Sequence, residues 1–167
     1  EAVKIITHEE ATAKPSWGPN KLRPTTKETA DHSFHYCVAV GLVAGECTPE
    51  NFTSRWLHDP TIARLISLTT IESTEEMTRI YKRGHRPAAV EVRTKRGTFL
   101  KEVPYPTGDP KNPMSWDQAT RKFLPMASRA IGSAKAARIV AHVDRIETLE
   151  NVGTLAELLA AVPRSTS

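Results

Sequence analysis

The sequence predicts an α+β fold: a two-layer α/β sandwich with a mainly antiparallel sheet, followed by a helical C-terminal segment. Three observations carry this. Residues 89–94 and 99–103 alternate apolar with polar side chains on either side of Lys95-Arg96-Gly97, the pattern of a β-hairpin with glycine in its turn. Strand and helix signals follow one another without the regular strand–helix–strand repeat of a doubly wound sheet. Beyond a loop rich in proline and glycine (Pro104, Pro106, Gly108, Pro110, Pro113) the composition turns to Ala- and Leu-rich stretches with helical spacing. The chain therefore divides into an α+β part over residues 1–112, a helical segment over 113–163 and a short tail over 164–167.

In chain order, residues 2–7 set Val3 and Ile5 against Lys4 and read as a strand. Residues 14–28 carry Pro15, Gly18, Pro19 and Pro24 and read as a long loop, a feature often functional in a compact domain. The loop leads into an apolar helix over 37–44, whose end is marked by Gly45. Thr48-Pro49 and Asp59-Pro60 each place a capping side chain before a proline at the first helical position. Ile62, Leu65 and Ile66 give the second of these short helices an apolar face. Residues 68–72 read as a strand and 73–87 as irregular. Ser115 with Gln118 forms a capping-box pattern opening a helix that Pro125 should bend or stop. Residues 134–149 predict a second helix, with Ala137, Val140, Ala141 and Ile146 on its apolar face, and 154–161 a third.

Composition excludes several classes. A chain of 167 residues suffices for a packed core, but only four Phe, three Tyr and three Trp serve as large anchors. The net charge of +4 is scattered, apart from the stretches 82–86 and 93–101, and shows neither the dense stripe nor the module of a nucleic-acid binder. No apolar run approaches a membrane span. Two cysteines, Cys37 and Cys47, make no disulfide framework. A reduced compartment is expected: the cytoplasm, or mitochondria if the organism is eukaryotic.

The chemistry concentrates in Thr29-Ala30-Asp31-His32-Ser33-Phe34-His35-Tyr36. An imidazole at the mouth of an apolar helix would feel the positive end of the macrodipole, which favours its neutral, proton-accepting form. The first turn would also offer N–H groups to an anion. The same residues admit a plain reading, with Asp31 or Ser33 as a helix cap and His32 on the surface. His35 follows His32 by one turn, but no third ligand has a spacing suited to zinc, so no metal is expected. Tyr36 fits the core better than a site, and the Gly108-Asp109-Pro110 loop has no phosphate-binding pattern and reads as structural.

The step Lys27-Glu28-Thr29-Ala30-Asp31-His32-Ser33, with Tyr36 and Val38-Ala39-Val40, resembles the MmgE/PrpD family of 2-methylcitrate dehydratases and cis-aconitate decarboxylase-like enzymes. A second block, Tyr105-Pro106-Thr107-Gly108-Asp109-Pro110-Lys111-Asn112-Pro113-Met114-Ser115 followed by Lys122-Phe123, is similar to another segment of that family. Gly45-Glu46, Phe52 and Asp59-Pro60 add a weaker match between them. The resemblance covers only the C-terminal portion of such enzymes. It implies a missing helical N-terminal half, on which the final helices would pack, and a homodimer. It implies a lyase of propionate metabolism that uses no cofactor: a hydro-lyase eliminating water from a citrate-like tricarboxylate, incomplete and inactive as this piece alone. By resemblance His32 is the catalytic acid/base. Asp31 orients it or caps the helix, Ser33 binds a substrate carboxylate or caps, and Lys27 and Arg23, with Lys21 nearby, clamp carboxylates or remain solvated loop charges. A cis-aconitate decarboxylase-like lyase and a non-catalytic binding or interaction module derived from the family are the alternatives.

Overall fold

The computed structural model describes residues 1–13 and 19–160 and separates the chain into two compact units, Glu1–Asn112 and Pro113–Ser167. Of the expectations above, the first part of the long loop, at 14–18, and the last position of the third C-terminal helix lie outside the described residues, as does the tail.

Unit 1 is built on a four-stranded sheet of order β2-β1-β3-β4, with β1 Ala2–Thr7, β2 Thr69–Ser73, β3 Ala88–Thr94 and β4 Gly97–Val103. β1 runs parallel to β2 (Val3 opposite Thr69) and antiparallel to β3 (Ile5 opposite Val90), and β3 is antiparallel to β4, so the α+β expectation holds. Alternation in β1 buries Val3, Ile5 and Thr7 and leaves Lys4 and Ile6 half-covered, as a strand with one inward face requires. Thr94 pairs directly with Gly97, so the hairpin turn is the two residues Lys95-Arg96 and Gly97 opens β4. Its φ of 136° lies where a side chain is strained.

The helices of unit 1 are short. They are α1 Glu9–Ala13, α2 Pro19–Leu22, α3 Lys27–Asp31, α4 Phe34–Ala44, α5 Ser54–Leu57, α6 Pro60–Ser67 and α7 Glu75–Lys82, with a 3-10 turn at Pro49–Phe52. Asp59 caps α6 as expected, its Oδ1 accepting from the amides of Thr61 at 2.7 Å and Ile62 at 3.2 Å. α7 corrects the reading of 73–87 as irregular. Thr74 caps it, Glu75 and Glu76 occupy its first turn and Arg79 and Lys82 its last, so charge placement along the dipole supports a helix whose apolar stripe is thin. α2 and α3 likewise correct the loop expected through residue 28; Thr26 and Thr29 form a reciprocal cap at the start of α3.

The core of unit 1 joins α3, α4 and α6: Ala30, Tyr36, Ala39, Val40, Ile62 and Ile66 are buried, with Phe52, Trp56, Leu57 and Leu65 packed around them. α4 ends on Gly45, whose φ of 78° lets its amide reach the Gly41 carbonyl at 3.0 Å. Open space surrounds the position of a Cβ there, so Gly45→Ala meets only backbone strain. Urea denaturation should show a loss of about 1–2 kcal/mol. An unchanged midpoint would mean that the helix end relaxes into another conformation.

The loop that follows β4 is pinned rather than slack. The Gly108 amide donates to the Asn112 carbonyl at 2.8 Å and the Asn112 side chain to the Tyr105 carbonyl at 2.9 Å. Asp109 accepts from the Lys111 amide at 2.8 Å and from the Nδ1 of His85 at 2.7 Å. The Lys111 amide bond comes first among the influences that hold its carboxyl below the usual carboxylate range. These bonds suit the structural role read from the sequence.

Unit 2 contains α8 Trp116–Ile131, α9 Ser133–Val143, a 3-10 turn at Ile146–Thr148 and α10 Gly153–Leu159. Ser115 and Gln118 form the expected capping box. α8 then runs on through Pro125 to Gly132, so proline does not stop it. α9 ends at Val143 rather than at 149, and its buried face is Ala136 and Ile139, not Ala137 and Ala141. The stripe is set by packing: Ile139 joins Leu155 and Leu158 of α10, with Phe123, Ile131 and Val143 at its edge. Ile146, half exposed in the 3-10 turn, takes no part in it.

Candidate functional site

The site is assembled where α3 meets α4. α3 is too short to stand by itself and is held by its Thr26 cap and by Ala30, which is fully buried. His32 follows its last residue and caps its C-terminal end, one residue before Ser33, the N-cap of α4. The dipole argument from the sequence is thereby corrected. His32 sits between the negative end of α3 and the positive end of α4, so the two backbone fields oppose one another.

What fixes the imidazole is hydrogen bonding. Its Nδ1 lies 2.5 Å from Oδ1 of Asp31 and 3.1 Å from the Glu28 carbonyl oxygen. Both neighbours only accept, so Nδ1 carries a proton and the neutral ring presents Nε2 as its basic atom. Asp31 thus acts on the ring as an orienting carboxylate, while the capping of α4 falls to Ser33. Burial raises the Asp31 carboxyl pKa, but hydrogen bonds from His32 and Lys27, together with their charges, outweigh it and hold the group below its ordinary range. Lys27 Nζ stands 3.2 Å from the other oxygen, Oδ2, one helical turn back. The His32 side chain is 71% exposed.

Ser33 is almost wholly buried, with its hydroxyl spent on the fold. It donates to the Lys21 carbonyl at 2.6 Å and accepts from the Tyr36 amide at 3.2 Å. Lys21 closes the arrangement by directing Nζ to the His32 carbonyl oxygen at 3.4 Å. Ser33→Ala removes both bonds and should cost about 1–2 kcal/mol in thermal or urea unfolding. A loss of only a few tenths would show that water replaces the hydroxyl and that α2 is not anchored through it.

The structure therefore brings Lys27, Asp31 and His32 into one bonded row, with Lys21 beneath. Arg23 has no bond to that row and instead lines a cleft with Leu22, Pro24 and Tyr36. His35 does not share a face with His32: it is buried, which pushes its pKa down, whereas His32 is exposed. Tyr36 lies in the core, its hydroxyl donating to the Asn51 carbonyl at 2.6 Å. Burial, with Cys47 close by, pushes the Cys37 thiol up to about 12, so it behaves as an unreactive small hydrophobe. Among the described residues no group of three His, Cys, Asp or Glu side chains is arranged to hold a metal ion, and no helix is long and apolar enough to cross a membrane. Sequence reasoning missed the Glu28 carbonyl as a second anchor of the ring, because backbone partners leave no mark in residue type. It also missed His58, which lines the same cleft as Arg23 and is an isolated histidine in the sequence.

Chemically, a neutral imidazole with an orienting carboxylate can take a proton at Nε2 and return it to a leaving group, and Lys27 sets a cation beside it. Comparison with known proteins bears on the family. A 2-methylcitrate dehydratase-like protein, oryR, of Aspergillus oryzae is 32% identical over 125 residues, which cover 69% of this chain and 25% of that protein. The chain thus spans about a quarter of the length of this relative. The family model for the MmgE/PrpD C-terminal domain matches residues 1–148, taking in the Asp31-His32 row and the Tyr105–Asn112 loop alike. The chain belongs to the MmgE/PrpD family and carries its C-terminal domain.

Proposed function

We propose that this chain contributes His32 to the active site of a hydro-lyase that removes water from a citrate-like tricarboxylate such as 2-methylcitrate, with no cofactor. The observation that carries the reading is the Asp31–His32 pair, whose 2.5 Å contact fixes a proton on Nδ1 and leaves Nε2 on an exposed face. Dehydration breaks a C–H bond next to a carboxylate and expels a tertiary hydroxide, which leaves as water. His32 Nε2 takes the proton and the imidazolium supplies one to the departing oxygen, while Lys27 and Lys21 balance substrate carboxylates.

Unit 1 by itself does not enclose this row. An imidazole 71% exposed cannot exclude water or hold a trianion in register, so the isolated chain should turn over little or no substrate. A helical half would complete the site. α4 supports this: its sequence is apolar nearly all round, yet Phe34, Leu42 and Val43 are each more than 40% exposed, the condition of a helix with an uncovered side. The test joins this chain to the helical half of a family member and follows the ultraviolet absorbance of the new double bond with 2-methylcitrate, citrate and cis-aconitate. Turnover of 2-methylcitrate only in the joined protein is expected. Carbon dioxide release from cis-aconitate without dehydration would replace the hydro-lyase with a decarboxylase, and silence with all three from folded protein would favour a non-catalytic module.

A further inference from the structure

β4 is an outer strand of the sheet, and all seven of its residues are exposed, Phe99 by 58% and Leu100 by 61%. Edge strands of soluble proteins are ordinarily blunted by a proline, a bulge or brevity. β4 has none of these: it contains no proline, and its register with β3 runs unbroken from Gly97 to Val103. The direction of its free backbone groups follows from the sheet. Alternate residues of an antiparallel strand turn N–H and C=O to the same side. The Val3 amide donates to the Leu68 carbonyl on the β2 side, so Ala2, Lys4 and Ile6 bond β3. By the same alternation Ala88, Val90, Val92 and Thr94 bond β4, through Val103, Lys101, Phe99 and Gly97. Thr98, Leu100 and Glu102 therefore turn both backbone groups outward, and among the described residues these groups have no partner.

An edge of this kind is completed by another extended strand. The sequence of β4 selects which one. A second copy of β4, related by a two-fold axis normal to the sheet, runs antiparallel, and one residue on the axis then faces its own copy. With Leu100 on the axis the whole strand overlaps: Leu100 faces Leu100, Phe99 faces Lys101 and Thr98 faces Glu102. The outward donors and acceptors of the two copies then meet in full. The side chains agree with the backbone. Phe99 and Lys101 make the non-hydrogen-bonded pair, where side chains approach most closely, so the lysine stem lies along the ring with its ammonium over the face. The Thr98 hydroxyl donates to the Glu102 carboxylate of the second copy. An axis at Lys101 or Glu102 sets like charges directly opposite one another, and an axis at Phe99 leaves Glu102 and Val103 facing the hairpin turn.

We propose that the chain forms a two-fold dimer through β4, the sheets of two copies joining into one continuous sheet with Leu100 on the axis. The proposal stands apart from the hydro-lyase reading, since it uses no residue of the His32 row. Two-fold pairing uses up the β4 edge of both copies, so assembly closes at the dimer. A strand of this length spans about 23 Å, and its edge buries less surface than a permanent dimer needs. Association is accordingly reversible and grows with concentration.

Sedimentation velocity on the whole chain, from low micromolar to near-millimolar concentration, tests this, with a reductant present so that exposed Cys47 forms no cross-link. A rise from monomer to dimer and no further is expected. Leu100→Pro removes the outward amide and leaves the bonds of β4 to β3 intact, whereas Leu100→Lys sets two ammonium groups face to face. Each should weaken the dimer about tenfold or more. Circular dichroism checks that both variants fold. Should the proline disturb the hairpin, the lysine, at an exposed position, carries the test by itself. Amide hydrogen exchange reads the register. Exchange at Thr98, Leu100 and Glu102 should slow as concentration rises, whereas Phe99 and Lys101, bonded to β3 throughout, should not change. A monomer at every concentration, growth beyond the dimer, or a dimer unmoved by both variants would overturn the proposal. So would protection of those three amides that is independent of concentration in the joined protein, since the edge would then belong to the helical half.

Discussion

His32→Ala, placed in a protein that joins this chain to a helical half, is expected to lower kcat by about 10²–10⁴-fold, the usual contribution of one well-placed acid or base. KM should move much less, because the ring is assigned to proton transfer and the carboxylates to the lysines. The same substitution should leave stability within about 0.5 kcal/mol, since the side chain is 71% exposed and anchors no core. That combination separates a catalytic role from a structural one: a large loss of turnover with an unmoved urea midpoint. Asp31→Asn supplies the companion measurement. The amide oxygen it introduces would still accept from Nδ1–H, and so would the Glu28 carbonyl, so the tautomer is retained. What is lost is the carboxylate charge that faces both His32 and Lys27, which for exposed pairs amounts to at most about fivefold each. Equal losses in the two variants would show that the carboxylate itself touches substrate. No loss in His32→Ala would remove the imidazole from the reaction.

The elements legible in the sequence were those whose signals are local. Alternation reported β1 and the β3–β4 hairpin, and Asp59-Pro60 and Gly45 marked the boundaries of α6 and α4. The short polar helices were not legible. α3 buries one alanine and α7 only Met77 and Thr78, so neither displays an apolar stripe long enough to read. In α9 the helix was readable but its face was not, because tertiary contact with Leu155 and Leu158 selected Ala136 and Ile139. The site divides in the same way. The Asp31-His32 step was found by its resemblance to a family pattern, and Lys27 with it. Its geometry was not, since the ring's position depends on where a five-residue helix stops. The two readings left open for Ser33 end in a hydroxyl held between the Lys21 carbonyl and the Tyr36 amide.

That hydroxyl ties His32 to the residue on which stability should depend most. Tyr36 is fully buried between α4, α6 and the 3-10 turn, its ring 5.6 Å from that of Phe52 and its hydroxyl on the Asn51 carbonyl. Tyr36→Ala should cost about 3–5 kcal/mol in urea denaturation, because the surrounding side chains can close the void only in part. Tyr36→Phe keeps the ring and should cost about 1–3 kcal/mol, the penalty of leaving a buried carbonyl without its donor. The phenol adds a pH signature. Burial, followed by the negative charges of Cys47, Cys37 and Asp59, raises its pKa from the ordinary 10 to about 12. A raised folded-state value means that the unfolded chain ionises first, so this stabilisation is complete below pH 10 and is lost as pH rises toward 12. The native chain should therefore lose stability across that window while Tyr36→Phe loses less, and the two curves should converge. Parallel curves would place the hydroxyl in contact with water. A small cost for Tyr36→Ala would mean that α4 is not anchored through this ring, and the start of α4 is what holds Ser33, and with it His32, in place.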